Sequence, residues 1–460
     1  MNPRKASRSE KKGAKEILRL GLKVFAYRND ILSAEDKEEL NSANTYLASQ
    51  LKEKPVAAEE LEKAAKRVDL ALQKNGELYY HKKSWVENVE MLLVAAIVVI
   101  GIRSFFVQPF IIPTNSMYPS FFGMQPKVYQ ENEDVPNIAE RAIDKILLGA
   151  SHFRLESESK GKLYLKLQNG APFRFVQGSF PHGRFFILPN NLREYIFEIG
   201  GKDHPLLIPA EFDLDELLAK KFAGTDDLRD LPLIVTQDHG FMGNRLKLSD
   251  KIFQKGEIAF AFDILLGDAL FVDRMSYNFI TPKSGDPAVF RTGSIDEFNR
   301  KLQMPVRPIG EDKYYIKRLV GEPGDTLEMK VPDSIFTNGT DLRKGVPGVL
   351  YRNSKPISGK SAFEENRKTT EALAINSNTP SKTGYPGYRA EGLLTNKSLL
   401  HVPDRNSSNN PTNKKAFFAM GDNSTDSLDG RSWGFVPENE IIGKAWFVYY
   451  PFTKRWGFSD

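Results

Sequence analysis

The stretch YYIKRLVGEPGD, residues 314–325, alternates as a half-buried strand does and then stops in a turn. With a period of two, Tyr315, Lys317 and Leu319 share one face, and Ile316, Arg318 and Val320 share the other. Pro323-Gly324-Asp325 supplies the turn chemistry. Lys317 is thereby set between two large side chains. Burial there would strip its ammonium of water and lower its pKa from about 10.4 towards about 7–8. An ordinary strand lysine, with its stem packed and its ammonium in water, fits the same pattern. Working outward, Ala269–Val272, Ala288–Phe290, Ala416–Met420 and Lys444–Tyr450 also read as strands, with Gly267-Asp268 and Gly285-Asp286 as turns. Aromatic residues at 11%, with 31 Phe, lean the same way. The expected core is mainly β.

Towards the N-terminus the longest apolar run is Met91–Ile102, MLLVAAIVVIGI. It is short for a membrane span, which needs about 20 residues. Extended over 85–107, with Trp85 at one interface and Arg103 snorkelling at the other, it reads as a transmembrane helix. A buried core helix is the alternative. The run begins too far from the N-terminus for a cleavable leader. His81, Lys82 and Lys83 precede it, so the positive-inside rule puts residues 1–84 in the cytoplasm and the residues beyond the span outside. Residues 1–80 read as helical: an amphipathic surface helix at Ile17–Leu32, then a helical hairpin broken at Pro55 and capped at Gly76.

Several chemistries lack their residues. The 460-residue chain has no cysteine, which excludes disulfides, thiolate metal sites and cysteine nucleophiles. Its six histidines have no metal-ligand spacing, and there is no nucleophile elbow or phosphate-binding loop. The net charge of +5 is not gathered into a basic stripe, so nucleic acid is not an expected partner. Neither a metal nor a cofactor is called for. A serine paired with a lysine base is the nucleophilic scheme that remains. It needs an exposed serine beside a peptide-binding edge. VQPFIIPTNSMYPS, residues 107–120, offers Ser116 in a turn set by Pro113 and Pro119, at the end of an extended edge strand.

That segment resembles the nucleophile motif of type I signal peptidases. YYIKRLVGEPGD resembles the family's lysine motif, and GDNSTDSLDGRSWGFVPENEIIGKA, residues 421–445, resembles its third signature. GDALFVDRMSYNF and PKSGDPAVFR are similar to the strands between, and all stand in family order. The resemblance implies a membrane-anchored serine endopeptidase of the bacterial inner membrane, its catalytic region outside, that removes signal peptides after Ala-x-Ala. Ser116 would be the nucleophile and Lys317 the general base. Thr114 would help hold the oxyanion, Ser427 would orient the lysine ammonium, and Asp429 and Arg431 would brace the site. Asp422 and Asn423 would form the supporting turn. Exported preproteins would pair along Pro109–Thr114 by strand addition, with Phe110, Ile112, Pro113, Met117, Tyr315 and Ile316 forming shallow small-residue pockets.

The expected catalytic β core is thus 108–120, 267–330 and 413–460, with residues 331–412 a loop-rich second β subdomain. Residues 121–266 depart from the compact family pattern. They read as an inserted mixed α/β module, with helical pattern at Ile138–Leu148 and Asp213–Phe222 and strands at Leu163–Leu167, Phe173–Phe175, Phe185–Leu188 and Tyr195–Ile199. Two other readings stand beside this one: a different Ser/Lys peptidase on the same fold, and an inactive membrane-anchored binding protein.

Overall fold

The computed structural model describes residues 4–80, 84–130, 135–178, 190–238, 241–340, 342, 345–377, 379, 381–408 and 410–459. The basic flank at His81–Lys83 and the expected strand at Phe185–Leu188 lie outside them. The chain divides into two units, Met1–Gly101 and Ile102–Asp460.

The first unit contains three packed helices, Arg8–Arg28, Ala34–Lys52 and Ala58–Asn75, where a surface helix followed by a helical hairpin was expected. The first is no mere surface helix. Ala14, Gly21, Val24 and Arg28 recur at near-helical spacing and are buried, with Leu40, Leu47, Leu61, Val68 and Leu72 in the same core. Gly21 permits this approach, since a Cβ there would meet the Asn44 side chain at 2.0 Å. Ser7 and Glu10 form a capping box, Ser33 caps the second helix, and Gly76 follows the third. Ser84–Phe105 is one continuous 22-residue helix, apolar on all sides. Its Asn88–Phe105 window is long and apolar enough to cross a membrane, and none of it is buried within the structure.

The second unit is built on an antiparallel sheet. Its order is Val107–Ile111, Ala269–Asp273, Ile441–Tyr450, Pro287–Arg291, Tyr314–Gly321, Ala416–Met420, Val436–Pro437. Gly457–Phe458 pairs beside Ile441–Tyr450. Val107–Ile111 is an edge strand, paired on one side through Ile111 opposite Ala269. The expected alternation holds in Tyr314–Gly321. Ile316 packs with Ile112, Met117, Leu270 and Val289, while Tyr315 and Leu319 pack with Ala288, Phe290 and Trp433. Lys317 stands opposite Ala288.

Residues 331–412 are less loop-rich than their Asn, Ser, Pro and Gly content suggests. They contain a 15-residue helix, Ser361–Ile375, whose Ala, Glu, Arg and Lys content favours helix despite its surroundings. It packs Phe363 against a small sheet formed by Lys355–Pro356, Val349–Arg352, Thr326–Lys330 and Leu399–His401.

The 121–266 region has its own core. Phe173–Gly178, Asn190–Ile199, Leu163–Lys166, Phe241–Lys247 and Leu233–Asp238 form one antiparallel sheet, with Lys202–Pro209 also on Asn190–Ile199. Gln125–Val128, Ile258–Leu265 and Ser151–Glu156 form a second. The strand Ile258–Leu265, IAFAFDIL, was not anticipated. Its residues 259–264 are all buried, so it shows no alternation to read. The Ile138–Leu148 helix has the expected limits, capped by Asn137 and by Gly149 at φ 64°. The second expected helix is short, Leu214–Leu218, continued by a single wider turn.

Candidate active site

Ser116 lies in a single helical turn, Asn115–Met117, five residues beyond the edge strand, and is 7% exposed. The turn is held from two sides. Gly123 N donates to Asn115 Oδ1 at 3.0 Å. Asn423 N donates to the Ser116 carbonyl at 3.1 Å, and Asn423 Nδ2 donates to the Asn115 carbonyl at 3.2 Å. A Cβ at Gly123 would meet the Thr114 carbonyl carbon at 2.3 Å, so only glycine permits the close approach.

Lys317 reaches this turn from the sheet. Its Nζ donates to Ser116 Oγ at 2.5 Å, and the residue is 5% exposed. Burial is the main influence on its pKa, driving it down from 10.5 to about 8. Asp429 pulls it back up, Arg431 pushes it further down, and Asp426 and Asp422 raise it. A lysine so placed is neutral in a useful fraction of molecules near neutral pH and can accept a proton from the serine hydroxyl.

The turn after Ala416–Met420 carries two buried ion pairs. Asp429 accepts from Arg431 Nε and Nη2, both at 2.8 Å, and from Gly421 N at 2.9 Å. Burial alone would raise the Asp429 carboxyl, but Arg431 and these hydrogen bonds hold it below its usual range. Arg431 also ties down the Ser424 and Ser427 carbonyls, at 2.9 and 3.3 Å. Asp422 accepts from Arg318 Nε and Nη2, both at 2.7 Å, and from Ser120 Oγ at 2.5 Å. Arg318 and Ser120 were not singled out in the sequence. The signal was the Lys317-Arg318 pair itself, because adjacent strand residues face opposite ways, and an arginine turned to the interior needs a buried acid.

The other expected site residues divide. Thr114 is exposed at the mouth of a groove of about 630 Å³. Phe110, Ile112, Pro113 and Ser116 line one side of it, and Tyr315, Ile316 and Lys317 the other. Phe110 and Tyr314 meet edge to face across it, with ring centroids 5.2 Å apart. Met117 is fully buried in the core beneath Ile112 and does not line the groove. Ser427 lies beside Gly421, but its Oγ is buried with no hydrogen-bond partner, so it does not hold the lysine ammonium here.

Comparison with known proteins bears on this geometry. Residues 261–450 match the family model of signal peptidase, peptidase S26. The matched region contains Lys317 and the turn from Gly421 to Arg431, and begins after Ser116. A probable signal peptidase I-1 of Synechocystis sp. is 28% identical over 191 residues, covering 42% of this chain and 66% of the relative. The signal peptidase I of Aquifex aeolicus is 27% identical over 197 residues, covering 41% of this chain and 70% of the relative. The chain thus spans about two thirds of the length of these curated relatives. A solved signal peptidase I from Enterococcus faecalis V583 is 19% identical and covers 36% of this chain and 97% of that one, with a TM-score of 0.19.

Proposed function

We propose, taking the chain as a type I signal peptidase of the S26 family on these matches, that it cleaves signal peptides from exported preproteins with Ser116 and Lys317. The observation that carries the residue assignment is the buried Lys317 Nζ within 2.5 Å of Ser116 Oγ. Neutral Lys317 takes the hydroxyl proton as Ser116 Oγ attacks the scissile carbonyl. The oxyanion that forms is met by the Ser116 N–H and the Thr114 hydroxyl. Collapse breaks the peptide bond, and the lysine returns its proton to the leaving amine of the mature chain. Water, deprotonated by the same lysine, then hydrolyses the ester that joins the signal peptide to Ser116.

The groove beside the edge strand supports strand addition by the end of the signal peptide. Ile112 and Ile316 line this groove, and apolar walls of that kind would favour alanine at −1 and −3 over larger side chains. The apolar helix at Ser84–Phe105 supports a membrane span, and the basic His81, Lys82 and Lys83 before it favour a cytoplasmic N-terminal side with the catalytic residues outside. A preprotein with alanine at −1 and −3 tests the assignment. Ser116→Ala and Lys317→Ala should each abolish its cleavage while the protein stays folded. Retained cleavage by either variant rules the pair out.

A further inference from the structure

The three-helix part of the first unit carries its charge unevenly. Residues 4–28 hold nine Lys and Arg against Glu10 and Glu16, while residues 29–80 hold seven against eleven Asp and Glu. Along the chain the basic residues of 4–28 are broken up by acids and apolar side chains, so no stripe shows. The helix Arg8–Arg28 gathers them. At about 100° per residue, Arg8, Lys11, Lys12, Lys15, Arg19 and Lys23 fall within about 120° of its circumference. Ala14, Gly21 and Val24, which face the bundle core, lie on the opposite side. Lys11 is half-buried and the other five cations are exposed. Glu16 borders the basic sector, and Glu10 lies outside it.

The fold makes no ionic use of these six. Arg4 pairs with Glu10, and Arg28 with Glu77 at 3.0 Å. The second and third helices spend their acids on their own cations: Asp36 and Glu39 on Lys74, Glu60 on Lys63, Glu62 on Lys66. Among the described residues, no carboxylate stands within ion-pair distance of the six, and Lys23 has only the Tyr27 ring, 6.0 Å from its Nζ. Like charges three and four positions apart destabilise a helix, so an anionic partner relieves this face.

Its neighbours say which partner. Leu22, 54% exposed, and Ala26 sit within the basic sector. A nucleic-acid backbone gives an exposed leucine nothing to bury against, whereas a bilayer interface does. The third helix ends at Asn75, and the apolar helix begins at Ser84. Nine residues extend at most about 32 Å. A chain that spans a bilayer at Ser84–Phe105 therefore keeps the basic helix near the surface of that same bilayer.

We propose that the basic face of Arg8–Arg28 docks on the anionic headgroups of the membrane in which the protein is anchored, with Leu22 set among them. The proposal goes beyond the peptidase reading and does not depend on Ser116 or Lys317. It rests on the membrane span.

The full-length protein has no cysteine of its own, so one spin label can be placed at Ala26→Cys in the basic sector, or at Leu70→Cys on the exposed side of the third helix. Each form is put into nanodiscs of phosphatidylcholine, alone or mixed with phosphatidylglycerol. Accessibility of the Ala26→Cys label to a water-soluble relaxation agent should fall at least about threefold in the anionic discs and recover in about 0.5 M salt. The Leu70→Cys label should not change. Each Lys or Arg at an anionic surface strengthens adsorption about fivefold, so Lys12→Gln/Lys15→Gln/Arg19→Gln should weaken docking about 100-fold and abolish the fall. Glutamine favours helix and the three positions are exposed, so the bundle stays folded. An unchanged Ala26→Cys label in anionic discs, an equal fall at both labels, or a fall that survives the three substitutions overturns the proposal. Protection by a single-stranded RNA in neutral discs, without any response to anionic lipid, assigns the face to nucleic acid and also overturns it. A chain that stays out of the discs removes the span, and the proposal falls with it while the catalytic assignment stands.

Discussion

Changing pH between 6 and 10 tests the chemistry of Lys317 more sharply than removing it. The amine must be neutral to accept the Ser116 proton, so kcat/KM should follow the neutral fraction. With burial lowering its pKa to about 8, the slope is tenfold per pH unit below about 7 and flat above about 9. At pH 7 about 9% of molecules would hold a neutral lysine, against about 0.03% for a pKa of 10.5, a gain of about 300-fold. The assay is the initial rate of preprotein cleavage at subsaturating substrate, in detergent and at constant ionic strength. The expected profile has one rising limb with its midpoint near pH 8. A limb that keeps climbing tenfold per unit to pH 10 would mean a solvated lysine and would refute the burial argument.

Other consequences can be measured directly. The folded lysine has a lower pKa than the unfolded one, so it destabilises the fold below about pH 8, and the penalty fades as pH rises towards 10.5. Lys317→Met should therefore lose activity yet gain up to about 3 kcal/mol of stability at pH 7, and little at pH 10.5, in denaturant titrations. Gly421→Ala would put a Cβ 2.2 Å from Ser427 Oγ and 2.5 Å from the Ser116 carbonyl. Displacing the nucleophile turn by even about 1 Å should cost about 100-fold in kcat. Asp422→Leu leaves Arg318 charged and unpaired in the interior, and should lower stability by about 3–5 kcal/mol in thermal or denaturant unfolding.

Much of the sheet could be read from the sequence because its strands are short apolar runs closed off by turn residues. Tyr314–Gly321 and Ala416–Met420 are bounded by turn residues and appear where expected. Ile258–Leu265 escaped because it is buried on both sides and carries no alternation. Ser361–Ile375 escaped because its flanks are rich in turn formers, although its own residues favour helix. At the site, local pattern could suggest Lys317 but not bring it to Ser116, 201 positions earlier. Contacts at such separation depend on sheet order, which a strand's own residues do not encode. The same limit hid Arg318, whose partner Asp422 is 104 residues away. Met117 was expected at the substrate, yet its side chain turns into the core, because the single helical turn that presents Ser116 points its neighbour inward.

The central claim is that a neutral lysine activates Ser116, and Lys317→Arg addresses it most directly. The guanidinium keeps a positive charge in the pocket but does not give up its proton at any accessible pH. Single-turnover cleavage of a preprotein by this variant should fall below about one thousandth of wild type at both pH 7 and pH 10. Cleavage by the arginine variant that rises with pH as it does in wild type would contradict the account.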